Sequence, residues 1–146
     1  MTCEIRPLAP LDKDQWRASW TNYLGFYETS VEDEVYETSF ARMMSGERGE
    51  FRGLVAVRDG RLVGLAHYLF HRHGWRIADA CYLQDLWVEP DQRGAGIARA
   101  LIEAVYAAAD AHGCAKIYWM TQETNAVARC LYDRIGVRTG FIEYRR

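Results

Sequence analysis

The feature that most constrains the fold is an apolar run that leads through two glycines into a long alanine-rich helix. The run covers residues 78–88, the glycines are Gly94 and Gly96, and the helix is predicted over Ile97–His112 with Gly113 as its left-handed cap. A strand, a glycine turn and a helix in this order direct several backbone N–H groups and the helix dipole at one point. The segment therefore predicts an anion site suited to pyrophosphate or, as the alternative, a tight connection without a ligand.

Apolar periodicity and turn residues outline the rest of the chain. They predict further strands over residues 3–8, 51–58, 62–70, 116–121 and 140–145, and further helices over residues 12–27, 30–44 and 125–135. Asp59-Gly60 is a type I′ hairpin signal, and Ser30 followed by Asp33 is a capping-box variant. The resulting order, βααβββαβαβ, predicts one mixed α/β domain over residues 1–146, with its central helix packed on a sheet.

Composition narrows the classes of function. The 18 basic and 20 acidic residues leave a net charge of −2, which argues against bulk binding of nucleic acid and leaves a local basic patch open. The four cysteines include no C-x-x-C pair and form no Cys/His cluster, so isolated thiols in a reducing compartment are expected rather than zinc. No apolar signal core begins the chain and no apolar run reaches spanning length, so we expect a cytoplasmic protein without a membrane partner.

Two motifs together resemble those of a known enzyme family. Arg93-x-x-Gly96-x-Ala98 matches the R/Q-x-x-G-x-G/A signature of the GNAT N-acetyltransferases. The segment from Asn125 to Gly136 resembles the second cofactor segment of that family, N-x-x-A-x-x-L-Y-x-x-x-G, at the expected distance along the chain. The resemblance covers the whole chain and implies a single-domain GNAT fold with a mixed central sheet and helices on both faces.

Within this family the chain is most similar to the Hpa-type histone and protein acetyltransferases and, through Leu83-x-Asp85-x-x-Val88, to the diamine acetyltransferases. The resemblance implies that acetyl-CoA gives its acetyl group to a primary amine, either a polyamine-like small molecule or a protein lysine. Direct attack in a ternary complex is expected, without a metal and without an acyl-enzyme. A CoA-binding regulatory module without turnover is the alternative, and Gln84 keeps it open.

The family pattern also implies which residues bind the cofactor. The pantetheine arm is expected along the main chain of a splayed strand, and the pyrophosphate at the glycine turn. The implied cofactor-binding residues are Leu86, Trp87, Val88, Arg93, Gly94, Ala95, Gly96, Ile97, Ala98, Asn125 and Tyr132. Simpler interpretations stay open for three of them: core packing for the side chains of Leu86 and Val88, and a helix cap for Asn125.

Catalysis needs an acid and a base. Tyr132 matches the family tyrosine that protonates the leaving thiolate, although a packed core tyrosine is the alternative. An attacking amine must lose a proton, and Gln84 stands where the diamine acetyltransferases have a glutamate. Asp85 is the nearest carboxylate, but strand alternation can turn it to the other face, and it can equally fix a loop; Glu28 is a second candidate.

Aromatic rings beside a carboxylate suit a cationic acceptor. The acceptor is expected at Tyr27, Glu28, Gln84 and Asp85, within a wider pocket that includes Tyr23, Phe26, His67, Tyr68, Trp119, Gln122 and Glu123. For Tyr23 and Trp119 ordinary core packing is the competing interpretation. His71 and His73 are expected in solvent rather than on a metal.

Only ten residues, 137–146, follow the last predicted helix, whereas the family commonly has two strands there. A sheet that is one strand short exposes an edge and apolar surface, which proteins usually cover. The resemblance to the Hpa-type enzymes, which associate through their carboxyl-terminal segments, implies a homodimer with Phe141, Ile142 and Tyr144 near the two-fold axis. The alternative is a monomer whose last strand ends its own sheet.

Overall fold

The computed structural model describes residues 2–146. Over these residues the elements follow in chain order as β1 (Glu4–Pro7), α1 (Lys13–Phe26), α2 (Asp33–Ser45), β2 (Arg52–Arg58), β3 (Arg61–His71), β4 (Ala80–Val88), α3 (Ile97–His112), β5 (Lys116–Trp119) and α4 (Ala126–Ile135). Short 3-10 turns precede α1 and follow β4. No helix within residues 2–146 has both the length and the apolar character needed to cross a membrane.

The strands form one mixed sheet in the order β1-β2-β3-β4-β5. The first four strands are antiparallel to their neighbours, and β5 runs parallel to β4. Asp59 and Gly60 have φ values of 51° and 75°, as the type I′ turn predicted between β2 and β3 requires. The long α3 connects the parallel pair across one face of the sheet.

Helices cover both faces, and each face has its own apolar core. On one face α1 and α2 bury Trp16, Trp20 and Phe40 against Leu65 and its neighbours. On the other face the apolar side of α3 packs on β2, β3 and β4, through Leu101, Ile102, Val105 and Ala109. The predicted α/β class with helices on both faces is therefore confirmed.

The last predicted strand, residues 140–145, is wrong. Residues 137–146 contain neither helix nor strand, and Val137, Phe141, Ile142 and Tyr144 are 75–92% exposed. A strand exists only where its N–H and C=O groups pair with a neighbour, and β-forming side chains alone supply no such neighbour. The order within residues 2–146 is therefore βααβββαβα.

The predicted capping box at Ser30 is also wrong. The N-cap of α2 is Glu32, which makes no side-chain capping hydrogen bond. Two acidic residues, Asp33 and Glu34, lie in the first turn instead, where negative charge interacts favourably with the helix dipole. The predicted end of α2 is correct, since Gly46 adopts the left-handed conformation with φ 65°.

Candidate active site

A bulge in β4 decides which way its side chains point. Tyr68 pairs with Leu83 and His67 pairs with Asp85, so Gln84 has no partner in β3. One extra residue reverses the alternation of a strand. Leu83 and Leu86 therefore face the α3 side of the sheet, whereas Asp85 lies beside His67 on the α1 side.

The two parallel strands part after a short contact. β5 pairs with β4 from Ala80↔Lys116 to Leu83↔Trp119, and β4 continues to Val88 without β5 beside it. All of β5 is paired and the second half of β4 has no strand on this side, while the predicted splaying of the two strands stays a prediction. The unpaired edge offers main-chain N–H and C=O groups that an amide-bearing ligand can satisfy.

A narrow cleft opens where the strands part. It is formed by residues from α1, from the bulge of β4, from the end of β5 and from α4. Its walls are Tyr23, Tyr27, Leu83, Gln84, Leu86, Trp119, Met120, Thr121 and Tyr132. Polar hydroxyls and an amide therefore share this space with aromatic and aliphatic surface, which suits a small polar ligand held against apolar walls.

Tyr132 reaches the cleft from α4. Its ring meets Trp119 edge-on with a centroid distance of 5.5 Å. Burial, with a smaller contribution from Tyr27, raises the pKa of Tyr132 to about 12. The phenol is therefore protonated at neutral pH and able to donate a proton or a hydrogen bond.

The start of α4 fixes this position. Asn125 is the N-cap, and its Oδ1 accepts the Ala128 N–H at 3.4 Å while its Nδ2 donates to Thr121 Oγ1 at 3.3 Å. Gly136 ends the helix, and a Cβ there would lie 2.9 Å from Trp119. Asn125 thus caps α4, which is one of the two roles expected for it. Its bond to Thr121 connects α4 to the cleft wall.

The glycine turn has the features of an anion site. Gly94 and Gly96 have φ values of 83° and 79°, and Gly96 is the N-cap of α3. A Cβ at either glycine would meet no protein atom within 4 Å. The Ala100 N–H bonds to the Gly96 carbonyl, whereas the backbone N–H groups of residues 94–99 have no acceptor within residues 2–146. Space, free donors and the helix dipole coincide here, so the residues present fit a phosphate group.

Arg93 holds this turn to the end of β4. Its Nε donates to the Val88 carbonyl at 3.0 Å, and its guanidinium carbon lies 4.8 Å from the centroid of the Trp87 ring. The side chains of Val88 and Trp87 are buried in opposite cores. Their side chains are therefore structural, and the main chain of this strand end lies beside no strand on the side opposite β3.

Asp85 lies behind the cleft wall. The carboxylate is 6% exposed, and its Oδ2 is 2.8 Å from His67 Nδ1. Trp16 Nε1 donates to His67 Nε2 at 2.9 Å. Burial and then the Asp85 charge raise the pKa values of Tyr23 and Tyr27, whose rings stand 5.2 Å apart at the cleft.

Other predicted acceptor residues are dispersed. Glu28 has a positive φ of 56° and is exposed outside the cleft walls. Phe26 packs against Trp87, and Tyr68 is buried in the core under α3. Gln122 and Glu123 are exposed, and Glu123 pairs with Arg138. Of the predicted acceptor set, the structure thus brings Tyr23, Tyr27, Gln84 and Trp119 together.

Sequence reasoning missed Met120 and Thr121 in the cleft and the bond from Trp16 to His67. The first two lie just beyond β5, where strand-end position was the available signal. The prediction that His71 and His73 are solvated is wrong, because each is half-buried. His71 Nε2 lies 2.7 Å from the Tyr118 hydroxyl, and His73 Nδ1 accepts the Trp75 N–H at 3.2 Å. Within residues 2–146 no three His, Cys, Asp or Glu side chains cluster as a metal site.

The sequence matches the model of the Acetyltransferase (GNAT) family over residues 12–137, and the chain belongs to this family. It is an acetyl-CoA-dependent N-acetyltransferase, as its two motifs predicted.

One curated relative supports this assignment, and solved structures share the fold. The D-amino-acid N-acetyltransferase HPA3 of Saccharomyces cerevisiae is 34% identical over 143 residues, covering 97% of this chain and 89% of the yeast protein. Among solved structures, AAC(6')-Iy in complex with a bisubstrate analog of CoA is similar with a TM-score of 0.85, at 19% identity, over 100% of this chain and 99% of that one. A ribosomal-protein-alanine N-acetyltransferase from Brucella melitensis has a TM-score of 0.80 at 22% identity, over 99% and 98% of the two chains.

Proposed function

We propose that the chain acetylates a primary amine of a small molecule by direct attack on acetyl-CoA in the cleft between β4 and β5. The observation that carries this proposal is Tyr132, a half-buried phenol that lines the cleft and stays protonated at neutral pH. Acetyl-CoA supplies an activated acetyl group as a thioester. The protein's own residues bind it, orient it and manage two protons.

We propose that the glycine turn binds the pyrophosphate and the free edge of β4 binds the pantetheine arm. The unpaired N–H groups of residues 94–99 support the first assignment, with Ala95, Ile97 and Ala98 contributing their amides. The second is supported by the main chain of Leu86–Val88, which pairs with β3 on one side and has no strand on the other. A backbone N–H near Leu86 then polarises the thioester carbonyl as an oxyanion donor.

We propose that Tyr132 is the general acid. Its hydroxyl donates to the thiolate that leaves when the amine attacks. The thiolate is desolvated in the same cleft, so its proton affinity rises with that of the phenol. Cys81 is buried and its thiol pKa is raised to about 12, and Cys130 is exposed outside the cleft walls, which favours direct transfer over a cysteine-linked acyl-enzyme.

The acceptor class we favour is a small cationic amine. The cleft is narrow, and Tyr23 and Tyr27 present aromatic surface near the Asp85 charge. The 34% identity to a D-amino-acid N-acetyltransferase adds D-amino acids to the polyamines as candidates. Gln84 lines the cleft as a neutral hydrogen-bonding group that orients the acceptor.

Thiol release from acetyl-CoA tests this function. The wild-type protein is assayed with D-amino acids, polyamines, amino sugars, aminoglycosides and lysine peptides, and each product mass is measured. We expect release only with small amines. Binding of acetyl-CoA without release on any amine would favour the CoA-binding regulatory module, and release only with lysine peptides would overturn the small-molecule class.

We also propose that the chain forms a homodimer through residues 137–146. Four apolar side chains of this segment are 75–92% exposed, and β5 has no partner on its outer edge within the described sheet. Proteins usually bury exposed apolar side chains and unpaired strand edges of this kind against another element or subunit. Light scattering at micromolar concentration should give a dimer mass that is lost when residues 140–146 are deleted; a monomer throughout, or a dimer that survives the deletion, would refute this.

We finally propose that the chain is one cytoplasmic domain whose partners are its substrates rather than nucleic acid or a membrane. Both apolar cores share one sheet, the four cysteines are free thiols, and the net charge is −2. Fractionation of cells that produce the protein, with extracts treated with nuclease, measures each part of this proposal. Recovery with membranes or with nuclease-sensitive material would contradict it.

A further inference from the structure

Asp85, the buried carboxylate proposed as a base, has no direct access to an acceptor bound in the cleft. Asp85 is absent from the cleft walls, whereas Tyr23 and Tyr27 belong to them. The Asp85 charge acts on both phenols, and the Tyr23 ring lies against Trp87, two residues along β4 from Asp85, with ring centroids 6.3 Å apart. Tyr23 therefore stands between the carboxylate and the space where an acceptor amine would lie.

Two residues behind Asp85 determine its hydrogen bonding. An indole N–H only donates, so the bond from Trp16 Nε1 at 2.9 Å makes His67 Nε2 an acceptor. The ring proton of His67 is then on Nδ1, which donates to Asp85 Oδ2 at 2.8 Å. His67 is consequently neutral and leaves the charge of Asp85 unbalanced.

The surroundings contain no cation that would replace His67 in this role. The groups that interact with Asp85 are His67 from β3, Tyr23 from α1, Tyr27 just after α1, and Tyr82 from β4 itself. Within residues 2–146 and apart from Arg58, no lysine or arginine forms an ion pair with this carboxylate. A buried charge without a cation is costly, and a cationic ligand at Tyr23 would relieve that cost.

We infer that Tyr23 and Asp85 form the proton relay that deprotonates the acceptor ammonium, with His67 and Trp16 as positioning residues. An N–H bond of the ammonium breaks as its proton moves to the Tyr23 oxygen, and the phenolic proton moves to Asp85. The products are the neutral amine and a protonated carboxyl, and Tyr23 is unchanged. Asp85 later releases this proton to solvent. The inference rests on the proposed function. It assigns the role of general base, which the neutral amide of Gln84 cannot fill.

Tyr23→Phe and Asp85→Asn test the relay, with Tyr36→Phe as the matched control. Tyr36 is a buried tyrosine of the same core, and its hydroxyl bonds to Thr21 rather than to the cleft. The acceptor is the amine of the panel that gives the fastest thiol release, and kcat is measured at saturating substrate against pH. Near neutral pH we expect both relay variants to lose about 100-fold in kcat, and the control to keep the wild-type value.

The shape of the pH profile separates a relay from a structural role. Raising the pH supplies free amine from solution, so the loss in Tyr23→Phe and Asp85→Asn should shrink as pH approaches the ammonium pKa of the acceptor. A loss that is constant over the whole pH range, or no loss, would overturn the relay. In either case wild-type turnover would leave the proposed function standing.

A second measurement needs no acceptor. Nitrogen-15 NMR of the histidine rings should find His67 in the Nδ1–H tautomer at neutral pH in the wild type. Trp16→Phe removes the donor at Nε2, so a second proton or the other tautomer should appear there while acetyl-CoA affinity is kept. The Nε2–H tautomer in the wild-type protein would refute the positioning role even if every amine of the panel fails as a substrate.

Discussion

Replacing Tyr132 with phenylalanine is the most direct test of the proposed chemistry. The change removes one hydroxyl and leaves the ring that packs edge-on against Trp119. Helix α4 keeps its cap at Asn125, because that bond involves the Ala128 N–H and no atom of Tyr132. We therefore expect a folded protein with nearly normal acetyl-CoA affinity and a defect confined to the chemical step.

The size of the defect follows from the loss of one general acid, which typically contributes about 100-fold or more to a rate. The pKa of Tyr132, raised to about 12 from an ordinary value of 10.0, keeps the phenol neutral at the pH of the assay. A neutral donor in a desolvated cleft stabilises a developing thiolate through a charge-assisted hydrogen bond. We expect kcat to fall about 100-fold, which is about 2.7 kcal/mol in activation free energy.

The pH dependence has a definite sign. The phenol of Tyr132 loses its proton only as pH rises through about 12, so any decline of kcat at lower alkaline pH belongs to another group. Tyr132→Phe should lower kcat by the same factor at every pH, so the shape of the pH profile is kept. The loss in Tyr23→Phe should instead shrink as pH rises. The folded pKa is the higher one, so the stabilisation linked to this proton is complete below the unfolded pKa and is lost as pH rises through about 12.

The assay is thiol release at saturating substrates, with a pre-steady-state trace to establish that chemistry limits the rate. Tyr106→Phe is the control, because its hydroxyl donates to the Ile135 carbonyl at 2.8 Å and has a structural role. The control should lose roughly 1 kcal/mol of stability and keep its kcat. An unchanged kcat in Tyr132→Phe would refute the role of Tyr132 as general acid and would favour a packing role for this residue.

Three further changes test the remaining features. Gly96→Asp adds a side chain and a negative charge at the free N–H groups, so calorimetry should detect no acetyl-CoA binding. Gly96→Asn adds a side chain without the charge and should lower the affinity for acetyl-CoA less. Wild-type affinity in a folded Gly96→Asp protein would refute the phosphate site. Gly136→Ala brings a Cβ to 2.9 Å from Trp119 and should cost roughly 1–3 kcal/mol in urea unfolding, whereas an unchanged midpoint would contradict the close contact. Cys130 is exposed and Cys81 is buried with a thiol pKa of about 12, so Ellman's reagent should modify Cys130 rapidly and Cys81 only after unfolding; equal rates would contradict the burial.

Much of the fold could be predicted because its signals are local. The glycines at 96 and 113 bound α3 at the residues expected, and Asp59-Gly60 fixed the hairpin between β2 and β3. The last strand could not be predicted in this way, because pairing depends on a neighbour that local sequence does not specify. Residues 140–145 have β-forming side chains, but no strand of the described chain pairs with them.

The same distinction between local and long-range signals applies to the residues of the site. The glycine turn and Tyr132 lie in contiguous motifs, and the sequence therefore located them. The direction of Asp85 depends on the bulge at Gln84, and residues 78–88 show no regular polar and apolar alternation from which a change of phase could be predicted. The bond from Trp16 to His67 joins residues 51 positions apart, and no periodicity connects them.

The parting of β4 and β5 also determines where the molecule is weakest. Four residue pairs attach β5 to the sheet, and no residue of α4 is fully buried. Regions with few buried apolar contacts open at low free energy, independently of the rest of the protein. A ligand that spans both strands binds only the closed state, and at a hundredfold excess over its Kd it adds about 2.7 kcal/mol to that state. If acetyl-CoA binds across both strands as proposed, we expect its concentration to determine how long the segment from residue 116 onward resists a protease.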